Sequence, residues 1–248
     1  MHNAALAAAG LDDWRYMRLP LPPDLFEETV RALPAARFRG VNVTIPHKHA
    51  ALALATEASD AARAIGAANT LTFGEDGSIA ADNTDAPGLL AALPGSPAGR
   101  TALVLGAGGA GRAAVFALRT AGADVSVWNR TPERAEALAR DLDVRALTRP
   151  EPAEIIVNCT SVGLHDPQDP FKALPLQADE LGAGSLVVDM VYRDGGTQLL
   201  EAARTRGASV VDGLEILVAQ GAASFERWTG LEAPRQAMRA AAKTIAIT

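Results

Sequence analysis

The stretch TALVLGAGGAGRAAVFALRTAGADVSVWNRT, from Thr101 to Thr131, leaves a chain little freedom in how it folds. Ala102–Leu105 is a short apolar run suited to a buried parallel strand. Gly106-Ala107-Gly108-Gly109-Ala110-Gly111 follows at once, then an Ala- and Leu-rich segment that predicts a helix over Arg112–Ala121. After Gly122 a second apolar run, Val125–Trp128, predicts another strand. In a strand–turn–helix–strand unit, glycines let the backbone bend tightly and approach a pyrophosphate. The new helix offers the anion unpaired N–H groups and the positive end of its dipole. In this setting the turn reads as a dinucleotide loop, the plainer alternative being a turn that only shapes the chain.

The end of the second strand bears on which dinucleotide. Sites for NAD place Asp or Glu there to take the ribose hydroxyls. Here the residues are Asn129-Arg130-Thr131, with Arg134 one turn on. A guanidinium pairs with a 2′-phosphate that a carboxylate would repel. The Thr131 hydroxyl and Asn129 amide could add neutral hydrogen bonds, so the pattern favours NADP.

The whole chain has 248 residues, 48% hydrophobic and 21% charged, enough for one large domain or two modest ones with proper cores. A net charge of −6 without a basic block argues against nucleic acid or an anionic membrane as partners. Cys159 is the single cysteine, which excludes an internal disulfide and a cysteine-cluster metal site and suits a cytoplasmic protein. No apolar run reaches membrane-spanning length, and Met1-His2-Asn3 does not open a signal peptide.

Read in order, residues 1–10 predict a helix stopped by Gly10, and Trp14–Leu19 a short strand. Asp24 is expected to cap a helix to about Leu33, Phe38–Ile45 to form a strand, and His47–Ala55 a helix after Pro46. Ser59–Ile65 reads as helix, and Gly66–Phe73 and Ile79–Asp85 as extended runs joined by a hairpin at Glu75–Gly77. Ala86–Leu93 is a connecting helix, and Pro94–Gly99 marks the domain boundary. Beyond the dinucleotide unit, Ile155–Val157, Leu186–Asp189 and Ser209–Val211 are further strand candidates, with Thr197–Arg206 a helix between the last two. A long helix from Gly213 and an amphipathic one after Pro234 are expected to return to the first third. The expected fold is α/β with two lobes: residues 1–93 and 220–248 bind substrate, and 94–219 form a doubly wound Rossmann-type cofactor domain.

A nicotinamide enzyme needs a group that moves a proton while the cofactor moves a hydride. Lys48 follows a strand end and a proline, and an amine near low-dielectric walls can act as acid or base. Asp85, after Asn83-Thr84, could hold it and bind a substrate hydroxyl. Pattern alone favours the plainer reading of each, a solvated lysine and a helix cap. Cys159 reads as a small buried residue rather than a nucleophile, and His47, His49 and His165 as surface residues without metal-ligand company.

Several segments resemble shikimate dehydrogenases in the same order: Asn42–Lys48, Gly66–Thr70, Asn83–Gly88, Gly106–Arg112, Asn129–Thr131, Asn158–Gly163, Asp189–Tyr192 and Gln220–Gly230. The resemblance implies that Lys48 is the acid–base catalyst and that Asp85 is its partner and a substrate ligand. By the same match Thr44, Asn69 and Gln220 bind ring hydroxyls, with Tyr192 close to the substrate. Gly106, Ala107, Gly108, Gly109 and Ala110 match the pyrophosphate loop, and Asn129, Arg130, Thr131 and Arg134 the adenosine-phosphate pocket. Met190 and Gly213 match residues beside the nicotinamide, and the turn at Thr160 lies on the cofactor side. The implied reaction is reversible NADPH-dependent reduction of 3-dehydroshikimate to shikimate, in chorismate and aromatic amino acid biosynthesis, by a monomer or homodimer without a metal. His2 belongs to a family motif but receives no catalytic role.

Family members usually carry a strand and a Ser-x-Ser-Pro loop directly ahead of Met-His-Asn, whereas this chain starts at Met1-His2-Asn3 and has no Ser-x-Ser elsewhere. The expected consequences are a weaker grip on the substrate carboxylate and an unpaired edge on the neighbouring strand. A quinate/shikimate dehydrogenase with relaxed cofactor use and a non-catalytic dinucleotide-binding regulator are the competing readings.

Overall fold

The computed structural model describes residues 1–164, 169–193 and 195–245; the expectation for His165 lies outside them. The first part runs α1 (His2–Ala8), α2 (Phe26–Ala32), β1 (Gly40–Asn42), α3 (Lys48–Ala53), β2 (Glu57–Ala58), α4 (Asp60–Ile65), β3 (Thr70–Phe73), β4 (Ile79–Asp82) and α5 (Asp85–Ala92). Its sheet has the order β1-β3-β4-β2, with β3 antiparallel to both neighbours and β2 parallel to β4. Ser59 caps α4 through its hydroxyl, and Gly66, at φ 74°, ends it.

The second part begins with β5 (Thr101–Leu105), α6 (Gly109–Thr120), β6 (Asp124–Trp128), α7 (Pro132–Leu142), β7 (Arg145–Ala146), β8 (Ile155–Asn158) and α8 (Pro170–Ala173). It continues through β9 (Leu186–Asp189), α9 (Gln198–Thr205), β10 (Ser209–Val211), α10 (Gly213–Thr229) and α11 (Arg235–Ile245). Its six strands are all parallel, in the order β10-β9-β8-β5-β6-β7. Covered on both faces, the central strands β5, β8 and β9 are buried along nearly their whole length. Alternate residues such as Ala102 and Val104 face the core under α6 and α7, while Leu103, Leu105 and Ile156 face the one under α8 and α9. The long helix α10 runs unbroken through residue 220, and with α11 it shares a buried cluster with Ala5 and Leu6 of α1. The C-terminal helices therefore do return to the first part of the chain.

Several elements depart from the sequence reading. α6 starts at Gly109, inside the glycine run, rather than at Arg112. Asp24 lies in a 3-10 turn, Pro23–Leu25, and makes no cap bond among the described residues. Only Gly40–Asn42 of the Phe38–Ile45 run forms a strand. Trp14–Leu19 is not a strand, because its backbone bonds go elsewhere. Tyr16 N donates to Asn3 Oδ1 at 2.7 Å, and Asn3 Nδ2 donates to Tyr16 O at 2.9 Å, so one side-chain amide holds the positions a ladder would use. Across from it, Arg37–Gly40 forms the other wall of a groove of about 510 Å³, and β1 is an edge strand of its sheet.

Candidate active site

Lys48 is the first residue of α3 and Asp85 the first residue of α5. Their side chains meet at 2.6 Å between Nζ and Oδ2 and are 12% and 9% exposed. Asn83 Oδ1 accepts from the backbone N–H of Asp85 and of Ala86, which fixes the start of α5. The other carboxylate oxygen of Asp85 accepts from Asn69 Nδ2 at 2.8 Å. Asn69 is buried, and its Oδ1 accepts from Thr84 N at 2.7 Å. Gln220, on α10, brings Oε1 within 3.3 Å of Asn69 Nδ2 and 3.4 Å of the Thr84 hydroxyl. A Cβ on Gly88 would lie 2.9 Å from both N and Cβ of Gln220, so only a glycine lets α10 approach α5 this closely.

The result is an amine, a carboxylate and two carboxamides converging from α3, α5, the start of β3 and α10. With both carboxylate oxygens engaged, Asp85 holds the ammonium in one direction and leaves its other N–H bonds for a hydroxyl or carbonyl. A charge pair so shielded interacts more strongly than one in water, and removing either partner would strand the other. Thr44 is exposed on the connection leading to Lys48, and its carbonyl accepts from His47 N at 2.9 Å.

The turn after β5 is shaped by close approaches. Gly106 has φ 106° and donates to Trp128 O at 2.7 Å; an added Cβ would lie 3.0 Å from Cys159 O. At Gly111 a Cβ would lie 1.9 Å from Gly106 O, which no side chain can relieve. A Cβ at Gly108 would meet no atom within 4 Å among the described residues, so this face of the loop is open. Closed beneath and open above, with the first N–H groups of α6 at its rim, the loop fits a diphosphate.

Beyond β6, Arg130, Thr131 and Arg134 are exposed, and among the described residues neither guanidinium has a carboxylate within 4 Å. Thr131 occupies the N-cap of α7, but among the described residues its side chain makes no cap bond. Asn129 is different. Its Oδ1 accepts from Ala107 N at 3.1 Å and its Nδ2 donates to Thr131 O at 2.9 Å. This amide ties the glycine loop to the end of β6.

On the other flank of the turn, Thr160 Oγ1 donates to Asn158 Oδ1 at 2.7 Å and accepts from Val162 N at 3.1 Å, so it shapes the loop after β8. Met190 donates its N–H to Asn158 O at 2.9 Å. Gly213 opens α10, where a Cβ would lie 2.5 Å from Val191 O. Tyr192 lies among Leu214, Val218 and the α1 and α11 residues, and its hydroxyl donates to Ala242 O at 2.7 Å. Burial pushes the Cys159 thiol up, with the negative charges of Asp189 and Asp85 adding to it. His47 is no bare surface residue: its ring stacks on Phe26 at 4.4 Å, and Nε2 lies 3.0 Å from Leu21 O.

Sequence reasoning passed over several residues that build the site. Asn42 Nδ2 donates to Ser224 Oγ at 2.8 Å, and Ser224 lies 2.9 Å from Thr70 Oγ1 and 3.2 Å from Thr84 Oγ1. These join β1, β3 and α10 under Asn69. The available signal was spacing: Ser224 lies one helical turn beyond Gln220. Asp189 was read as a strand end and as the start of the resembling segment Asp189–Tyr192, without a role of its own. It is fully buried, accepts from Thr197 Oγ1, Asn158 Nδ2 and Val191 N, and so ties together the loops that follow β8 and β9.

Residues 1–71 match the shikimate dehydrogenase substrate binding domain, 91–161 the shikimate / quinate 5-dehydrogenase family, and 213–243 the shikimate 5'-dehydrogenase C-terminal domain. A shikimate dehydrogenase (NADP(+)) of Thermus thermophilus is 47% identical over 250 residues, covering 98% of this chain and 91% of the relative. One from Methanosarcina mazei is 40% identical, covering 96% and 90%. The crystal structure of the Thermus thermophilus shikimate 5-dehydrogenase in complex with NADP(H) and shikimate superposes with a TM-score of 0.87 at 43% identity, covering 98% of this chain and 92% of that one. The Aquifex aeolicus shikimate dehydrogenase gives 0.90 at 35% identity, covering 98% and 91%. On identity across nearly its whole length, and with the same two-part α/β architecture, the chain belongs to the shikimate dehydrogenase family.

Proposed function

We propose that this chain is an NADP-dependent oxidoreductase that interconverts 3-dehydroshikimate and shikimate. The observation that carries the reading is the Lys48–Asp85 pair, shielded from water and set beside the glycine loop of the second sheet. Residues 1–93 with 220–248 form the substrate lobe and 94–219 the cofactor lobe, with α10 crossing the boundary as a shared spine.

In this reading Gly106, Ala107, Gly108, Gly109 and Ala110 hold the diphosphate, and Arg130, Thr131 and Arg134 the 2′-phosphate. Asn129 acts by bracing the loop, while Thr160, Met190 and Gly213 shape the nicotinamide side. Bound NADPH supplies the hydride. Asn69, Gln220, Thr44 and Asp85 orient the ring hydroxyls with Tyr192 close to the substrate, and Lys48 Nζ gives a proton to the carbonyl oxygen as its carbon is reduced, later regaining one from water. In the reverse direction Lys48 accepts the hydroxyl proton. Asp85 keeps the amine aimed throughout.

No helix among the described residues is long and apolar enough to cross a membrane. The acidic net charge and single cysteine fit a cytoplasmic enzyme acting on small molecules rather than nucleic acid. The test is spectrophotometric: NADPH oxidation with 3-dehydroshikimate, and NADP against NAD with shikimate. Turnover favouring NADP is expected, and NADPH binding without turnover would sink the reading.

A further inference from the structure

Gly109 and Arg112 lie three residues apart on α6, hence on one face of the helix, and both reach the first part of the chain. At Gly109 an added Cβ would sit 3.0 Å from Cδ and 3.3 Å from Cβ of Lys48, so the stem of the amine crosses directly over the start of this helix. Arg112 lies one turn on. Its Nε donates to the carbonyl oxygen of Ile65, and its Nη1 donates to Asp141 Oδ2 of α7 at 2.9 Å. The side chain is 14% exposed.

The far side is shaped to receive it. Ile65 ends α4, where carbonyls lack intrahelical partners. At Gly66 an added Cβ would be 2.9 Å from Nη2 and 3.2 Å from Nε of Arg112. One guanidinium is thus anchored on the cofactor side and seated against the end of a helix on the substrate side. A planar fork can serve both directions at once, which an ammonium on a flexible stem cannot.

The residues after Gly66 lead straight to the reacting groups. Ala68 N donates to Lys48 O at 2.9 Å, Asn83 Nδ2 to Ala67 O at 2.9 Å, and Asn69 Nδ2 to Asp85 Oδ1 at 2.8 Å. A shift at Gly66 therefore moves the supports of Lys48 and Asp85 together. We propose that Arg112 is a positioning residue that sets the spacing of the two lobes and, through it, the reach of Lys48 into the crevice over the glycine loop. This rests on the oxidoreductase reading above.

The experiment compares the full chain with Arg112→Ala, Arg112→Lys and Asp141→Asn. It measures kcat, KM for shikimate, NADPH affinity by fluorescence titration, and the primary deuterium isotope effect with 4-deuterated NADPH. Arg112→Ala is expected to lower kcat about tenfold to a hundredfold, because small misplacements of reacting groups are costly. The isotope effect should rise as hydride transfer becomes limiting, while NADPH affinity holds. Arg112→Lys should keep most of the loss and Asp141→Asn show a smaller one. Unchanged kcat and isotope effect with only a lower melting temperature would overturn the proposal. Should Arg112→Ala not fold, the other two variants decide by the same criteria. A wild-type chain that binds NADPH but does not turn over would overturn the functional reading itself, and this inference with it.

Discussion

At one end of the crevice Lys48 and Asp85 are nearly closed off from solvent, and both oxygens of Asp85 are engaged by neighbours. At the other, Arg130 and Arg134 stand exposed without a carboxylate within 4 Å among the described residues. On the proposed function, the difference follows from what each end would do. Groups that move a proton gain from being fixed before the ligand arrives, in surroundings where charges act strongly. Groups that catch a phosphate gain from being solvated and unpaired beforehand, since an internal partner would have to be displaced. Stiffness and recognition are thus divided between the two ends.

The sharpest way to break this contrast is Lys48→Ala. It should lower kcat by about a thousandfold or more while leaving NADPH affinity unchanged; a parallel loss of cofactor binding would show that the two ends are not separate. Arg130→Ala, with Arg134→Ala beside it, should weaken NADPH binding about tenfold to a hundredfold and leave NADH binding unaffected. That loss should shrink with added salt, because exposed charges are screened. An equal loss for NADH would remove the 2′-phosphate from the account.

Two titrations test the closed parts. Burial, and then the terminal ammonium, hold the His2 imidazole down at about pKa 4 against an ordinary 6.5, opposed by a hydrogen bond to Asn42. The ring stacks on Tyr16 at 4.3 Å, and Nδ1 has no hydrogen-bond partner among the described residues. Below pH 6.5 the unfolded chain takes up a proton that the folded chain resists, so this contribution is present above 6.5 and is lost as the pH falls toward 4. His2→Phe should flatten the decline in denaturant-measured stability between pH 7.5 and pH 5, by about 2 kcal/mol.

Asp189 runs the other way. Burial raises its carboxyl from 3.8 to about 6, although Thr197, Val191 and Asn158 donate to it. The folded chain keeps a proton the unfolded one releases, so the contribution is full below pH 3.8 and fades as pH rises through 6. Asp189→Asn should remove this slope, worth about 1 kcal/mol between pH 5 and pH 7.5. A variant with the same pH profile as the parent would show that another group titrates there.

Legibility followed the range of the interactions. β5, the glycine turn, α6 and β6 were readable because strand, bend and helix succeed one another within one stretch and glycine spacing reports a local crowding. Even so, α6 begins three residues early, since packing over Gly109 and Gly111 outweighs the poor helix propensity of glycine. Trp14–Leu19 was misread because a strand depends on a neighbour, and here the Asn3 amide takes its hydrogen bonds. The two-residue strands β2 and β7 left no periodic trace to find.

By itself the sequence determined the chemistry available: a lysine after a proline-ended run, an aspartate opening a helix, glycines where backbones touch, and arginines in place of an acidic residue after β6. These choices are local, written in residue types and spacings. Only the tertiary structure decided that Ser224 would meet Thr70, that Asn129 would brace the loop rather than face outward, and that Arg112 would reach Ile65. Such contacts join residues tens to more than a hundred positions apart, and which of them form depends on how helices and sheets settle against one another, information no short window of sequence contains.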